Sequence, residues 1–399
     1  MPSVHFTAAV LATLLAPSSI LAQRTSAPPT GWQDFTTAFD AFAAGDSIVG
    51  GAVLVMRDGR VLDHHEYGQA DRERHDAMSD RTIVHWASIT KTLTAIAIMQ
   101  LRDRGKLSLD DRVTKWVPEL RQVHDAFGSI DAVTIRMLLS HSSGFQNPTW
   151  PYTSGKPWEP FEPTRWEQLV SMMPYQELLF APGSRFGYSN PAFIYLARII
   201  EQITGDPYET YIQKNIWTPL GLTRSYFGAT PYHLSRWRSN NYTLRADSAG
   251  RQTVTANGRD FDPGITRPNS GWNAPLSDLA LYLTFLAGAT RGDSATARLY
   301  DTVLSRRSLG EMWRPVVRVD PAEGLGDAVG LSFFLFPKNG EATLVGHTGD
   351  QAGFRSFFYF NPVTSTAVIG AVNTTNEARP DSSEAAWIAI TSRARTLLR

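Results

Sequence analysis

The run His85-Trp86-Ala87-Ser88-Ile89-Thr90-Lys91-Thr92-Leu93 decides how the rest of this chain is read. Beyond it Leu93, Ile96, Ala97 and Leu101 recur at the helical period and Gly105 stands where a C-terminal cap belongs, so a long helix is expected to start at or just after Ser88. Residues three apart share a helix face, which brings the Ser88 hydroxyl and the Lys91 amine together. A hydroxyl is a weak nucleophile until a base takes its proton, and a lysine amine serves once burial or a neighbouring cation lowers its pKa. Ser88 also stands at the positive end of the helix, where backbone N–H groups stabilise negative charge developing on a carbonyl oxygen. Ser-x-x-Lys occurs nowhere else in the chain. Taken alone, the alternative is a capping serine beside a surface lysine.

Working outward, Trp32 to Ala44 has a helical pattern, Ile48 to Met56 reads as a strand, Arg57-Asp58-Gly59 as a tight turn and Val61 to Tyr67 as the hairpin partner. The middle is expected to be mainly helical: Val133 to Ser140, Thr164 to Phe180, Pro191 to Thr204 ended by Gly205, and Ser277 to Ala287. Phe227 to Asn273 is polar and rich in turn residues, and reads as surface loops around a cleft. Strands return at Thr343 to His347, Phe354 to Phe360 and Ala367 to Val372, and Ser383 to Leu398 closes with a helix. The order predicts an α/β (α+β) fold: an antiparallel sheet built from both chain termini with flanking helices, plus an inserted, mainly helical lobe at about 105–320.

Of 399 residues 42% are hydrophobic, enough for a packed core, and 38 basic side chains balance 38 acidic ones without a basic stripe, so nucleic acid is not an expected partner. With no cysteine there is neither a disulfide framework nor a thiolate nucleophile. The apolar stretch Ala8 to Leu15, the break Pro17-Ser18-Ser19 and small Ala22 before Gln23-Arg24 read as a signal peptide over 1–22, despite an n-region whose side chains offer only His5 as a basic group. That predicts a periplasmic or secreted protein, with a leader at 23–34 and one domain over 35–399. The stretch is short for a bilayer span and no later segment reaches the length of an uninterrupted apolar span, so no stable membrane span is expected.

Further runs follow the serine in order: Gly105 to Val113, Thr134 to Gly144, Phe180-Ala181-Pro182-Gly183-Ser184-Arg185-Phe186-Gly187-Tyr188-Ser189-Asn190, Pro219-Leu220-Gly221-Leu222, and Gly346-His347-Thr348-Gly349-Asp350 ahead of a strand pair. As a set, over about residues 35 to 398, they resemble the serine β-lactamase-like and penicillin-binding family, which includes class C β-lactamases, D-Ala-D-Ala carboxypeptidases and esterases. The resemblance implies a β-lactamase/transpeptidase-like fold. It implies Ser88 as nucleophile, Lys91 and Tyr188 as its proton-transfer partners, and His347 in the family's Lys/His-Thr/Ser-Gly element. It further implies Asn190, Thr348 and Gly349 as substrate contacts, with Asn190 bonding Lys91 or a substrate amide, and the backbone N–H groups of Ser88 and Asp350 as the oxyanion hole. Tyr188, held near two cations, is expected to ionise below its usual pKa of about 10. Tyr-x-Asn occurs again at Tyr359, but only Tyr188 follows a Pro-Gly turn and precedes a helix.

His347 is the informative departure, because lysine is the usual residue of the β-lactamases proper and a histidine, titrating near neutrality, anchors a carboxylate less well. The implied reaction is two-step acyl transfer through an acyl-enzyme, without metal or organic cofactor, on a small-molecule or peptide substrate. A carboxylesterase or D-amino-acid-type peptidase ranks ahead of a β-lactamase; a non-catalytic penicillin- or peptidoglycan-binding relative is the alternative. Trp150, Tyr152, Trp158, Phe161 and Trp166 either wall an apolar pocket or simply pack. His64-His65-Glu66 reads as a solvated strand rather than a metal site. His141 with Ser140, Ser142 and Ser143 reads as a helix end whose side chains satisfy turn backbone groups. Oligomeric state has no signature in the sequence.

Overall fold

The computed structural model describes residues 27–147, 163–289, 292–338 and 341–399. The expected signal peptide, residues 23–26 of the leader, and Trp150, Tyr152, Trp158 and Phe161 lie outside the described residues. Helix α1 (Trp32–Gly45) leads into the hairpin β1 (Gly50–Arg57) and β2 (Arg60–Asp71), edged by β3 (Asp76–Ala77). Then β4 (Ile83–His85) delivers the chain to a 3-10 turn, Ala87–Ile89, and helix α2 (Thr90–Asp103). The middle holds α3 (Ile135–Leu139), α4 (Trp166–Met172), α5 (Pro191–Thr204) and the strands β5 (Tyr226–Phe227), β6 (Asn241–Ala246), β7 (Gln252–Gly258) and β8 (Trp272–Pro275). After a helix at Leu276–Ala287 come β9 (Val317–Arg318), β10 (Ala328–Val329), β11 (Phe334–Lys338), β12 (Glu341–Gln351), β13 (Phe354–Asn361), β14 (Thr366–Val372) and β15 (Thr374–Asn376). A helix at Pro380–Thr396 closes the chain.

The main sheet has nine strands in the order β3-β2-β1-β14-β13-β12-β11-β10-β9. Its centre joins the two termini: β1 pairs antiparallel with β14 from Gly51↔Val372 to Arg57↔Thr366. The expected α/β architecture is therefore the observed one. Both β13 and β14 are buried at every position, which is why their sequences run aromatic and β-branched without polar alternation. Period two sorts their side chains between two cores. Phe357, Tyr359, Val368 and Val372 meet α1 and the C-terminal helix through Phe35, Phe39 and Trp387. Phe358, Phe360, Ile369 and Ala371 belong to the larger core with α2 and the Leu276–Ala287 helix.

Helix α2 is buried on every side from Thr90 to Leu101. Its threonines are tolerated there because each hydroxyl is satisfied: Thr90 donates to Ala87 O at 2.6 Å, Thr92 to Ile89 O at 2.7 Å and Thr94 to Pro268 O at 2.7 Å.

Three expectations differ from the structure. The helix expected over Thr164 to Phe180 runs only over Trp166–Met172 and becomes a 3-10 turn at Met173–Tyr175, since Pro174 cannot donate to the preceding turn. The Val133 to Ser140 helix shrinks to Ile135–Leu139, with the Thr134 hydroxyl accepting from Met137 N at 3.3 Å. The 227–273 segment is more ordered than read, since it carries β5 to β8. There β6 and β7 form an antiparallel hairpin, and β6 pairs in parallel with β15 as Thr374↔Tyr242.

The main sheet and the segment leading into α2 meet where Gly349 of β12 lies against the turn before Ser88. A Cβ there would stand 2.3 Å from Trp86 O and 2.7 Å from Ser356 Oγ. Gly349→Ala is expected to destabilise the fold by about 1–3 kcal/mol through overpacking. Gly310→Ala, whose added Cβ meets nothing within 4 Å, is expected to be neutral or to stabilise by up to about 1 kcal/mol as a helix substitution. Denaturant unfolding of the two variants checks the contrast; equal stabilities would contradict the close approach.

Candidate active site

Ser88 lies in the short 3-10 turn between β4 and α2, and its predecessor Ala87 has a φ of 47°, a left-handed value unusual for alanine. The kink turns the chain from strand to helix and leaves Ser88 partly exposed while both neighbours are buried. Lys91, one turn on, is wholly buried. Its Nζ stands 3.0 Å from Ser88 Oγ, 2.8 Å from Asn190 Oδ1 and 2.9 Å from Asn269 O. Burial pushes the Lys91 ammonium well below its ordinary range. A neutral amine has two N–H bonds and one lone pair. The two carbonyl-type oxygens take the N–H bonds, and the lone pair is left for the Ser88 proton.

Tyr188 lies over the same nitrogen, with Nζ 4.9 Å from the ring centroid, and its hydroxyl is hydrogen-bonded to Ser88. Here the expectation of a lowered phenol pKa is overturned. Burial pushes Tyr188 upward, and Lys91 and His347 are themselves held toward their neutral forms, so the resting side chain is a protonated phenol. Tyr359 sits elsewhere, buried in β13 with its hydroxyl accepting from Arg395 at 3.0 Å. Asn190 opens α5 without capping it through its side chain. Its Oδ1 faces Lys91 and its Nδ2 donates to Asn147 Oδ1 at 3.0 Å.

On the facing side β12 pairs with β13 over Val345 to Gln351, but its register with β11 ends at Phe334↔Gly346. From His347 to Gln351 the second edge has no strand partner among the described residues. Thr348, Gly349 and Asp350 stand along this open stretch and line a cleft of about 370 Å³ with Ser88, Tyr188, Asn190 and His347. Ser88 N belongs to the first turn of a helical segment, where no carbonyl a turn behind is available to it.

A family model described as Beta-lactamase matches residues 35–393. The chain belongs to that family. Over 248 residues it is 32% identical to Esterase EstB of Burkholderia gladioli, a match covering 57% of this chain and 62% of EstB. The chain thus spans about three-fifths of the length of several curated relatives it matches. Among solved structures, the octameric penicillin-binding protein homologue from Pyrococcus abyssi superposes with a TM-score of 0.72 at 28% identity, covering 92% of this chain and 77% of that one. A D-stereospecific amidohydrolase from Streptomyces sp. gives 0.65 at 25% identity, covering 86% and 94%. The β-lactamase-family resemblance and fold read from the sequence both hold.

Within this β-lactamase-family cleft, His347 is not the pH-sensitive weak anion anchor expected. It is buried, and burial followed by repulsion from Lys91 takes its pKa down to about 3. Its Nδ1 lies 2.5 Å from Thr348 O and so carries the proton, leaving Nε2 as a neutral acceptor without a partner among the described residues. The charged side chains lining the cleft are Glu323, Asp350, Glu384 and Arg355, and the guanidinium is engaged by Asp350 at 3.0 Å and by Glu384. No group of three or more metal-ligating side chains occurs among the described residues, and His64 and His65 pair instead with Glu66 and Asp40.

Two contributors escaped sequence reasoning. The Asn269 carbonyl is a backbone atom from the segment read as loops, and no residue type announces it. His141, set aside as a turn residue, is buried and stacks on Tyr188 at 4.2 Å and 18°. Its neighbours do behave as expected, Ser140 donating to Arg136 O at 2.9 Å and bonding Ser142.

The buried imidazoles make stability depend on pH. His347 and His85 titrate at about 3 and about 4 in the folded chain, against about 6.5 unfolded, so between those limits the unfolded chain binds more protons. The contribution of these two histidines to the unfolding free energy therefore rises with pH up to about 6.5 and levels off above it, opposed by Asp278, whose burial raises its carboxyl to about 6. In urea unfolding at pH 4.5, 5.5, 6.5 and 7.5, the stability of His85→Gln is expected to rise less steeply with pH than that of the unsubstituted chain. Equal pH dependence in the two would contradict a neutral buried His85.

Proposed function

We propose that this chain is a serine hydrolase that cleaves ester or amide bonds through an acyl-enzyme on Ser88, with carboxylesterase or D-amino-acid-type peptidase activity ahead of β-lactam turnover. The observation that carries the reading is the Lys91 amine: buried, held toward neutrality, donating to two oxygens and 3.0 Å from Ser88 Oγ. Lys91 takes the Ser88 proton as Oγ attacks the carbonyl carbon. Negative charge on the former carbonyl oxygen is met by the backbone N–H groups of Ser88 and Asp350. Collapse expels the leaving oxygen or nitrogen, which takes the Tyr188 proton, and Tyr188 is recharged from Lys91. Water then attacks the acyl-enzyme by the reverse relay, releasing the acid and restoring Ser88.

Asn190 holds Lys91, while Thr348 and Gly349 offer the open strand edge to the substrate backbone. The substrate ranking rests on charge. A neutral His347 and a guanidinium already engaged by two carboxylates leave no free cation among the described cleft residues to hold a substrate carboxylate. The likeness to EstB and to the Streptomyces amidohydrolase supports ester and amide chemistry. We also propose export to the periplasm or medium on the N-terminal apolar segment; among the described residues no helix is long and apolar enough to cross a membrane.

A fluorescent phosphonate followed by intact mass is expected to give one adduct, mapped to Ser88. Among p-nitrophenyl esters, D-amino-acid anilides and nitrocefin, turnover should favour the first two and fall at least about a thousandfold in Ser88→Ala. An unmodified protein that turns over none of these substrates would point to the non-catalytic binding alternative, activity that survives Ser88→Ala would remove Ser88 as the nucleophile, and dominant nitrocefin turnover would reverse the ranking.

A further inference from the structure

Tyr188 sits on a loop, and a loop side chain holds a catalytic position only if something fixes both its ring and its backbone. In this chain one residue makes contacts to three consecutive positions there. The carbonyl of His141 accepts from Gly187 N at 2.8 Å, its ring stacks on Tyr188, and its Nδ1 accepts from Ser189 N at 3.1 Å. We propose that His141 is the positioning residue for Tyr188, gripping the loop on both sides of the phenol and setting the plane in which its hydroxyl reaches Ser88.

Three further observations support this assignment. His141 is fully buried and has a φ of 54°, a left-handed conformation that a non-glycine residue adopts at some energetic cost. Phe193 packs at 5.2 Å and Phe186 at 6.0 Å, so the imidazole has little freedom to turn. Because Nδ1 accepts a backbone N–H, the ring is the neutral tautomer with its proton on Nε2, and burial together with Lys91 keeps a second proton away. An imidazolium under the phenol would draw the Tyr188 proton off; a neutral ring leaves it in place for the leaving group.

The proposal rests on the acid–base reading of Tyr188, and the test separates the two. The full chain and its His141→Phe, His141→Gln, Tyr188→Phe and His141→Phe/Tyr188→Phe variants are compared on ethyl butyrate and p-nitrophenyl butyrate by kcat/KM, which reports acylation. Phenylalanine keeps a stacking ring and loses the Ser189 acceptor; glutamine retains an acceptor and loses the ring. If His141 works through Tyr188, either substitution lowers kcat/KM on ethyl butyrate about 10–100-fold. The p-nitrophenyl ester suffers less, since its leaving group needs no proton. The double variant is then no slower than Tyr188→Phe alone.

A purely structural role would slow both esters equally and multiply with the Tyr188→Phe loss, which would overturn the proposal. So would a folded His141→Phe or His141→Gln with full activity beside a crippled Tyr188→Phe. A silent Tyr188→Phe would overturn the acid–base reading, and the positioning role with it. Circular dichroism melts identify the folded variants, and the two different replacements keep the comparison available if one does not fold.

Discussion

Burying a lysine with no charged partner forces a choice on the amine. An ammonium stripped of water and given no carboxylate is strongly disfavoured, and the cheaper outcome is loss of the proton. Lys91 is in that position: burial is what lowers its titration, and its contacts are a hydroxyl, an amide oxygen and a backbone carbonyl. Much of the interior follows from holding that nitrogen. Helix α2 runs through the core instead of over it, α5 begins at Asn190, and the Arg267–Ser270 turn brings the Asn269 carbonyl to the third side. Three segments separated by many residues converge on one atom.

The features legible in the sequence are those whose causes are local. Helix α5 ends at Gly205 with a φ of 73°, as a glycine after the last apolar turn suggests, and the Arg57-Asp58-Gly59 turn joins β1 to β2. A sheet shared by the two termini could be inferred from the order of the elements, with strand segments at both ends and helices between, and β1 does pair with β14. The β6–β7 hairpin was hidden since its third strand, β15, lies more than a hundred residues later, and its buried Asn241 and Thr243 look polar in isolation.

The same division runs through the site. The Ser88–Lys91 juxtaposition follows from helical spacing alone, and the Pro-Gly turn separates Tyr188 from strand-bound Tyr359. Burial and tautomer are not written in residue type. His347 looked like a group that titrates near neutrality and became a fixed neutral acceptor; Tyr188 looked easily ionised and became a protonated phenol. His141 looked like part of a helix end, because sequence does not reveal which distant ring a buried side chain lies against.

These shifts share one electrostatic logic. Around Ser88 burial favours the neutral form of each neighbour: Lys91 is pushed toward the amine, Tyr188 stays a phenol, and His141 and His347 are held toward neutral imidazoles, so in the proposed mechanism proton transfers move charge only when substrate arrives. The most direct measurement is the titration of Lys91 itself. The chain has six lysines, so ε-carbon-labelled protein gives a short set of NMR resonances, with Lys91 identified by its disappearance in Lys91→Met. This resonance is expected to titrate well below the ordinary lysine value of about 10.4. A Lys91 signal titrating at that ordinary value would contradict the neutral amine.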